Sequence, residues 1–185
     1  MEAPLVKLPQ SHLRLADLPN RRPSPFSLTP TAEERRAIAD ALGIEGIKKL
    51  RFEGELSPLG QKDWGLQATL GATVVQACVV TLGPVTTRID EDVSRTYLAE
   101  MPQVEGTEVE MPEDDTVEQL PETLDLAAVM IEALSLALPP YPRADGAMLE
   151  QTVFADPDVS PMTDDDAKPF AGLGALRDSL EKKDK

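Results

Sequence analysis

Three strand patterns joined by short connections constrain the fold most. The run WGLQATL, residues 64–70, alternates apolar with polar or small residues, which is typical of a strand with one buried face. The β-branched run TVVQACVVTL, residues 73–82, follows, and Gly71 predicts a bulge or bend before it. After a Gly83–Pro84 turn, residues 85–98 continue as a long strand. Such short connections predict an antiparallel β-meander, in part barrel-like, over about residues 48–99.

A first helix is predicted ahead of this sheet, in PTAEERRAIADAL, residues 30–42. Thr29 or Thr31 can cap its start, and Gly43 supplies a stop at its end. It is the smaller, N-terminal helix of the predicted fold.

The best helix signal in the chain covers residues 125–138. Thr123 or Asp125 can cap it, and Pro139–Pro140 ends it. Because it is apolar nearly all round, it is expected to be a central helix buried against the sheet. The predicted fold class is therefore α+β, with the meander packed against this one helix.

Composition divides the chain into four parts. Prolines and basic residues mark the start, and acidic residues with prolines mark two later stretches. The predicted parts are a basic Pro-rich arm (1–25), an α+β core (26–142) that includes an acidic loop (101–123), an acidic extended linker (143–168) and a short C-terminal helical motif (169–185). That motif is expected to dock either on this protein's own sheet or on a partner.

Targeting and membrane signals are not found in the sequence. The N-terminus has no apolar core of a secretory signal. The most apolar window, residues 124–139, is shorter than the roughly 20 residues that span a bilayer. We therefore expect a soluble, cytoplasmic protein.

Charge is spread unevenly along the chain. The net charge is −15, yet residues 1–52 hold nine Lys/Arg and six Asp/Glu, whereas residues 101–167 hold one and seventeen. The acidic middle would repel a phosphate backbone and would suit a basic protein partner. Any RNA contact is therefore expected at the basic residues before it, which are Arg21, Arg22, Arg35, Arg36, Lys48, Lys49 and Arg51. The alternative is that Arg35 and Arg36 only solvate the first helix.

Catalytic and metal-binding signals are sparse. The chain has one cysteine and one histidine, and no nucleophile elbow, phosphate loop or histidine pair for a metal. Cys78 is expected to be a small, buried strand residue, because zinc needs four ligands. Glu132, inside the central helix, is expected to reach solvent or to pair with a basic group such as Arg88 or Arg143. We predict no enzyme activity, no metal, no cofactor and no small-molecule substrate.

Three segments in this order resemble the YceD family of large ribosomal RNA subunit accumulation proteins: QACVVTLGPVTTRID, LDLAAVMIEALSLALPPYPR and KPFAGLGALRDSL. The resemblance covers roughly residues 25–180. It implies a role in making or accumulating large-subunit ribosomal RNA. The residues that match its motifs are expected to be structural: Cys78, Pro84, Asp125, Glu132, Leu138, Pro139, Pro169, Phe170 and Leu173.

The resemblance also bears on metal binding. Many members have a Cys-x-x-Cys pair where this chain has Cys78 and Thr81, and some have further cysteines where it has YPRADGAML. One cysteine cannot carry over the metal role that such relatives suggest.

Three functions are compatible with the sequence. The first is a non-enzymatic ribosome biogenesis factor that binds the large-subunit ribosomal RNA precursor, a basic ribosomal protein, or both. The second is an acidic protein-interaction module without RNA contact. The third, with least support, is a small hydrolase that uses carboxylates such as Asp90, Asp92 or Glu132.

Overall fold

The structure is a computed structural model that describes residues 8–101 and 116–148, together with Ala155, Asp156, Val159 and Met162. Internal contacts divide the chain into two units, Met1–Asp145 and Gly146–Lys185. Almost all described residues belong to the first unit. The middle of the predicted acidic loop, most of the predicted linker and the whole C-terminal motif, with Phe170 and Leu173, lie outside the described residues.

The described part of the first unit is an α+β fold, as predicted. Its elements are β1 (His12–Arg14), β2 (Ser24–Leu28), α1 (Ala32–Leu42), β3 (Gly46–Leu59), β4 (Asp63–Ala77), β5 (Pro84–Leu98), β6 (Val117–Gln119), β7 (Thr123–Asp125) and α2 (Leu126–Ala137).

The main sheet has the order β2-β3-β4-β5-β6. The pairs from β2 to β5 are antiparallel, whereas β6 lies parallel to β5. The barrel-like part of the prediction is wrong, because the described sheet ends at β2 and β6 and these two strands do not pair. A separate two-stranded sheet joins β1 to β7.

The core is mainly aliphatic, with Phe52, Trp64 and Tyr97 among its buried residues, and alternation along the strands fills it. Leu66, Leu70 and Val74 of β4 are fully buried, and α2 contributes Met130 and Leu134 to the same cluster. Period-two strands and the apolar stripe of α2 thus meet in one hydrophobic cluster.

The helix ends follow the sequence signals. Thr31, rather than Thr29, caps α1 in a capping box with Glu34, and Gly43 ends it in the left-handed conformation at φ 65°. Asp125 caps α2 by accepting a hydrogen bond from the Ala127 N–H. It also accepts one from the Ser11 N–H at 2.8 Å, which ties α2 to the chain just before β1.

Residues 8–25 are built into the fold, although the sequence suggested an arm. β1 pairs with β7, Leu15 is buried, and β2 begins at Ser24. The sequence does not reveal β1, because a strand of three residues is too short to show a period of two and its partner strand lies more than 100 residues away in the chain.

One glycine marks a very close approach between β3 and β4. Gly54 lies opposite Ala68. A Cβ atom at position 54 would lie 2.5 Å from the Ala68 Cα and 2.6 Å from its Cβ, and would also meet the Gln67 carbonyl oxygen. Only glycine fits here without a shift of backbone.

Candidate functional site

The candidate site begins with a β-bulge in β3. Ile47 pairs with Val74 and Lys49 pairs with Thr73, the residue next to it, so Lys48 is one extra residue in the strand. The bulge lies here and not at Gly71, where the sequence predicted a bulge or bend; β4 keeps its register through Gly71 on both sides.

The bulge decides which way the basic residues face. Ile47 and Leu50 are both buried, whereas Lys48, Lys49 and Arg51 are all exposed. In a regular strand Lys48 would share the buried face of Leu50, because side chains alternate. The extra residue places three cations on one outer face.

Neighbouring elements add two arginines to this face. Lys49, Thr73 and Arg88 lie opposite one another across β3, β4 and β5, so their side chains share a face. Arg35 reaches the same place from α1. Together they line an open cavity of about 360 Å³. We call this set the cationic cluster: Arg35, Lys48, Lys49, Arg51 and Arg88.

Hydrogen bonds position one member of the cluster. The Arg35 Nε donates to the Ile47 carbonyl at 3.2 Å and its Nη1 donates to the Pro30 carbonyl at 2.7 Å. Arg35 therefore satisfies a backbone carbonyl of β3 as well as adding positive charge. Neither the RNA-binding hypothesis nor the solvation hypothesis for Arg35 predicted this structural role.

The other members differ in how far they are neutralised. Lys48 donates to the Thr86 hydroxyl at 3.0 Å, and Arg51 pairs with Glu53 at 3.2 Å. The side chain of Lys49 has no hydrogen bond or ion pair with any residue that the structure describes. The cluster thus keeps uncompensated positive charge at Lys48 and Lys49.

Arg88 is held by Asp90, which lies two residues further along the same strand. Their two-point hydrogen bond raises the pKa of Arg88 and, with the nearby charges of Arg88 and Arg51, lowers the pKa of Asp90. A Cβ at Gly71 would lie 3.0 Å from an Arg88 Nη atom. The glycine therefore leaves room for the guanidinium to lie over β4.

Four of the seven predicted RNA-binding residues meet in the cluster. Arg21, Arg22 and Arg36 are exposed but do not line the cavity. Sequence reasoning missed Arg88, although its place on the polar face of the β5 alternation was a usable signal.

The prediction that Cys78 lies in a strand is wrong, because Cys78 lies in the turn that follows β4. It is fully buried, as expected. Its Sγ accepts hydrogen bonds from the N–H groups of Val80, Thr81 and Ala144, each at 3.4 Å. A hydrogen bond with the Thr81 side chain, followed by those three backbone donors, lowers the pKa of Cys78 to about 6.

This turn also joins two distant parts of the chain. The Val79 N–H donates to the Pro142 carbonyl at 2.9 Å. The two stretches in which some relatives carry further cysteines, at Thr81 and after α2, thus meet at Cys78. Among the described residues, no three His, Cys, Asp or Glu side chains are grouped to hold a metal ion.

Glu132 reaches solvent and pairs with a basic residue, as expected, although that residue is Arg95 rather than Arg88 or Arg143. The two side chains are 3.0 Å apart, and Arg95 also pairs with Glu118 of β6 at 3.0 Å. Arg95 is largely buried, whereas Glu132 is half exposed. This pair links β5 to α2.

Two other motif residues have structural places: Pro84 begins β5, and the Pro139 carbonyl accepts a hydrogen bond from the Gln76 amide at 3.2 Å.

The sequence model of one protein family, described as large ribosomal RNA subunit accumulation protein YceD, matches residues 66–177. This is more than half of the chain. The chain belongs to the YceD family. The match confirms the resemblance, but it begins in β4, so of the cationic cluster only Arg88 lies inside it. No curated protein and no solved structure matches this chain.

No helix among the residues with a described structure is long and apolar enough to cross a bilayer.

Proposed function

We propose that this YceD-family protein is a non-enzymatic ribosome biogenesis factor that supports synthesis, processing or accumulation of large-subunit ribosomal RNA. The family description supports the biological role. The convergence of Lys48, Lys49, Arg51 and Arg88 with Arg35 on one face supports direct binding of the RNA precursor there.

The chemistry of the cluster suits phosphate groups. Lysine and arginine bind phosphate oxygens by charge-assisted hydrogen bonds, and Lys49 is free to reach a ligand. No aromatic side chain of the described residues lines the cavity, so base stacking is not expected there. We therefore expect backbone contacts with little sequence preference.

The charge of the rest of the chain would orient the RNA. Farther along the same sheet face, Glu53, Thr69 and Asp92 lie opposite one another, so the surface becomes acidic. Acidic surroundings repel phosphate and would confine it to the cluster. We place this function in the cytoplasm, with no membrane, cofactor or small-molecule substrate.

A basic ribosomal protein is the second partner that we propose. The seventeen acidic residues in 101–167 favour a cationic protein and would also suit a module that never touches RNA. The hydrolase hypothesis has weaker support, since Asp90, Asp92 and Glu132 are engaged by Arg88, Thr69 and Arg95.

Two matched triple variants test the RNA contact. Lys48→Gln/Lys49→Gln/Arg88→Gln removes three charges from the cluster, and Arg21→Gln/Arg22→Gln/Arg36→Gln removes three exposed charges outside it. Binding of a large-subunit ribosomal RNA fragment is measured from 50 to 200 mM salt. Each lost phosphate contact should lower the slope of log affinity against log salt by about 0.7–0.9.

The cluster variant should therefore lose about two units of slope and at least about tenfold in affinity at low salt, with the outside variant nearly unchanged. Equal losses in both variants, or no loss in either, would contradict binding at the cluster. Crosslinking in cells, followed by sequencing of the bound RNA, would identify the RNA site.

A further inference from the structure

The β5 strand has an open edge. Among the described residues it pairs with β4 from Pro84 to Tyr97, but with β6 only at Thr96–Leu98. Most of one edge of this long strand therefore presents backbone groups that no described strand satisfies. Such an edge is a template for pairing with another chain.

The bonds to β6 show which backbone groups face this edge. The Thr96 N–H donates to the Thr116 carbonyl at 2.8 Å, and the Leu98 carbonyl accepts from the Leu120 N–H at 2.8 Å. Backbone groups of alternate residues point to the same edge of a strand. The N–H and C=O groups of Arg88, Asp90, Asp92 and Ser94 therefore point to the open edge.

A groove of about 430 Å³ runs beside this edge, between β5 and α2. On the α2 side it is apolar, with Ala133, Leu136 and Ala137, and Leu136 is 76% exposed. On the β5 side it is lined by Glu91, Asp92 and Arg95, and because Arg95 is paired with Glu118 and Glu132, the two β5 carboxylates make this side acidic. A segment lying along the edge would thus meet apolar surface on one face and carboxylates around it.

Charge selects the kind of strand that fits. A strand that extended β6 backwards in register would bring the residues before Val117, which include Glu113 and Asp115, beside Ser94 and Asp92. Like charges on neighbouring strands are destabilising. A cationic strand would have the opposite interaction with the same carboxylates.

We propose that the open edge of β5 from Arg88 to Ser94 binds an extended, basic segment of a protein partner as an added strand. Backbone hydrogen bonds would supply affinity and alternate side chains specificity. Basic residues on one face of the segment would lie beside Asp90 and Asp92, and apolar residues on its other face would enter the groove next to Leu136.

The surface shares only Arg88 with the cationic cluster, through the backbone of that residue, and only the identification of the partner as a ribosomal protein rests on the proposed function. The segment it selects alternates basic and apolar residues over about seven positions.

The probe is a nine-residue peptide of alternating lysine and valine with blocked ends, added to the full-length protein and followed by amide hydrogen exchange in NMR spectra. In the free protein the amides of Arg88, Asp90 and Asp92 should exchange fast. The peptide should slow them at least about tenfold, while the β4-paired amides of Ile89 and Val93 are slow throughout. A glutamate–valine peptide should not bind.

Asp92→Pro removes one edge N–H without removing a hydrogen bond to β4. It should weaken binding of the lysine–valine peptide at least about tenfold. Asp92→Asn is the matched control, and its affinity for the lysine–valine peptide should fall much less. Should the proline variant fail to fold, Glu91→Lys/Asp92→Lys replaces it, and it should prefer the glutamate–valine peptide. Lys48→Gln/Lys49→Gln should bind the lysine–valine peptide as the natural protein does, so failure of the RNA contact is separately visible.

Three results would overturn the proposal. Edge amides protected before any peptide is added would mean that the chain covers its own edge, for instance with residues 102–115. Equal binding of both peptides would remove the charge argument. Unchanged binding by both the proline and the lysine variants would place the peptide elsewhere.

Discussion

Replacing Gly54 with alanine tests how closely β3 and β4 approach each other. The new Cβ would lie 2.5 Å from the Ala68 Cα and 2.6 Å from its Cβ. Carbon atoms prefer separations of about 3.5–4.0 Å, so relief needs a relative shift of about 1 Å between the strands. Neither obstructing atom can rotate away, because one belongs to the backbone and the other is attached directly to it.

The expected cost follows from two opposing effects. Overpacking of a well-packed site costs about 1–3 kcal/mol, whereas replacing glycine lowers the entropy of the unfolded chain and returns about 0.4–1 kcal/mol. Gly54→Ala should therefore lower the free energy of unfolding by about 1–2 kcal/mol. With a urea dependence of about 2 kcal/mol per molar, the midpoint should fall by about 0.5–1 M.

Gly46→Ala is the matched control in the same strand. A Cβ there meets no atom within 4 Å, and the glycine has no positive φ. This variant should be neutral or stabilised by up to about 1 kcal/mol. Equal urea midpoints for the two variants, measured by circular dichroism, would refute the close approach of the strands.

Two further changes probe the Cys78 turn and the start of α2. The pKa of Cys78 is about 6 in the folded protein against an ordinary 9.0, so its thiolate adds stability that is fully present above pH 9 and lost as pH falls through 6. The unfolding free-energy difference between the natural protein and Cys78→Ala should thus widen from pH 6 to 9 in urea titrations; a constant difference would count against it. Asp125→Ala should cost about 1–2 kcal/mol in thermal unfolding, because the cap to Ala127 and the bond from Ser11 are both lost. Asp125→Asn should retain most of that stability, and equal melting temperatures for the two variants would argue against the cap.

Long, strongly patterned elements could be predicted from the sequence. β5 begins at the predicted Gly-Pro turn, and α2 runs from Leu126 to Ala137 within the predicted 125–138. Both carry many residues of one period and clear end signals, so local pattern and final structure agree.

The remainder depends on contacts that a single sequence does not display. The pairing of β1 with β7 joins three-residue segments from opposite ends of the described core. Cys78 follows a strongly β-branched run, yet hydrogen bonds to Sγ from the turn and from Ala144 fix it outside the strand. The facing of Lys48 depends on where the bulge lies, and strand pairing rather than local composition determines that position.

The bulge at Lys48 makes the electrostatics of this protein sensitive to chain length within one strand. Losing this single residue would restore plain alternation, with Ile47 still on the buried face and Lys49 still outside, and would remove one cation from the cluster. A gene could therefore gain or lose part of the cationic face by one inserted or deleted codon, with no basic residue substituted. Relatives that differ by such a codon would keep the same buried residues and would differ in the charge of the surface that partners meet.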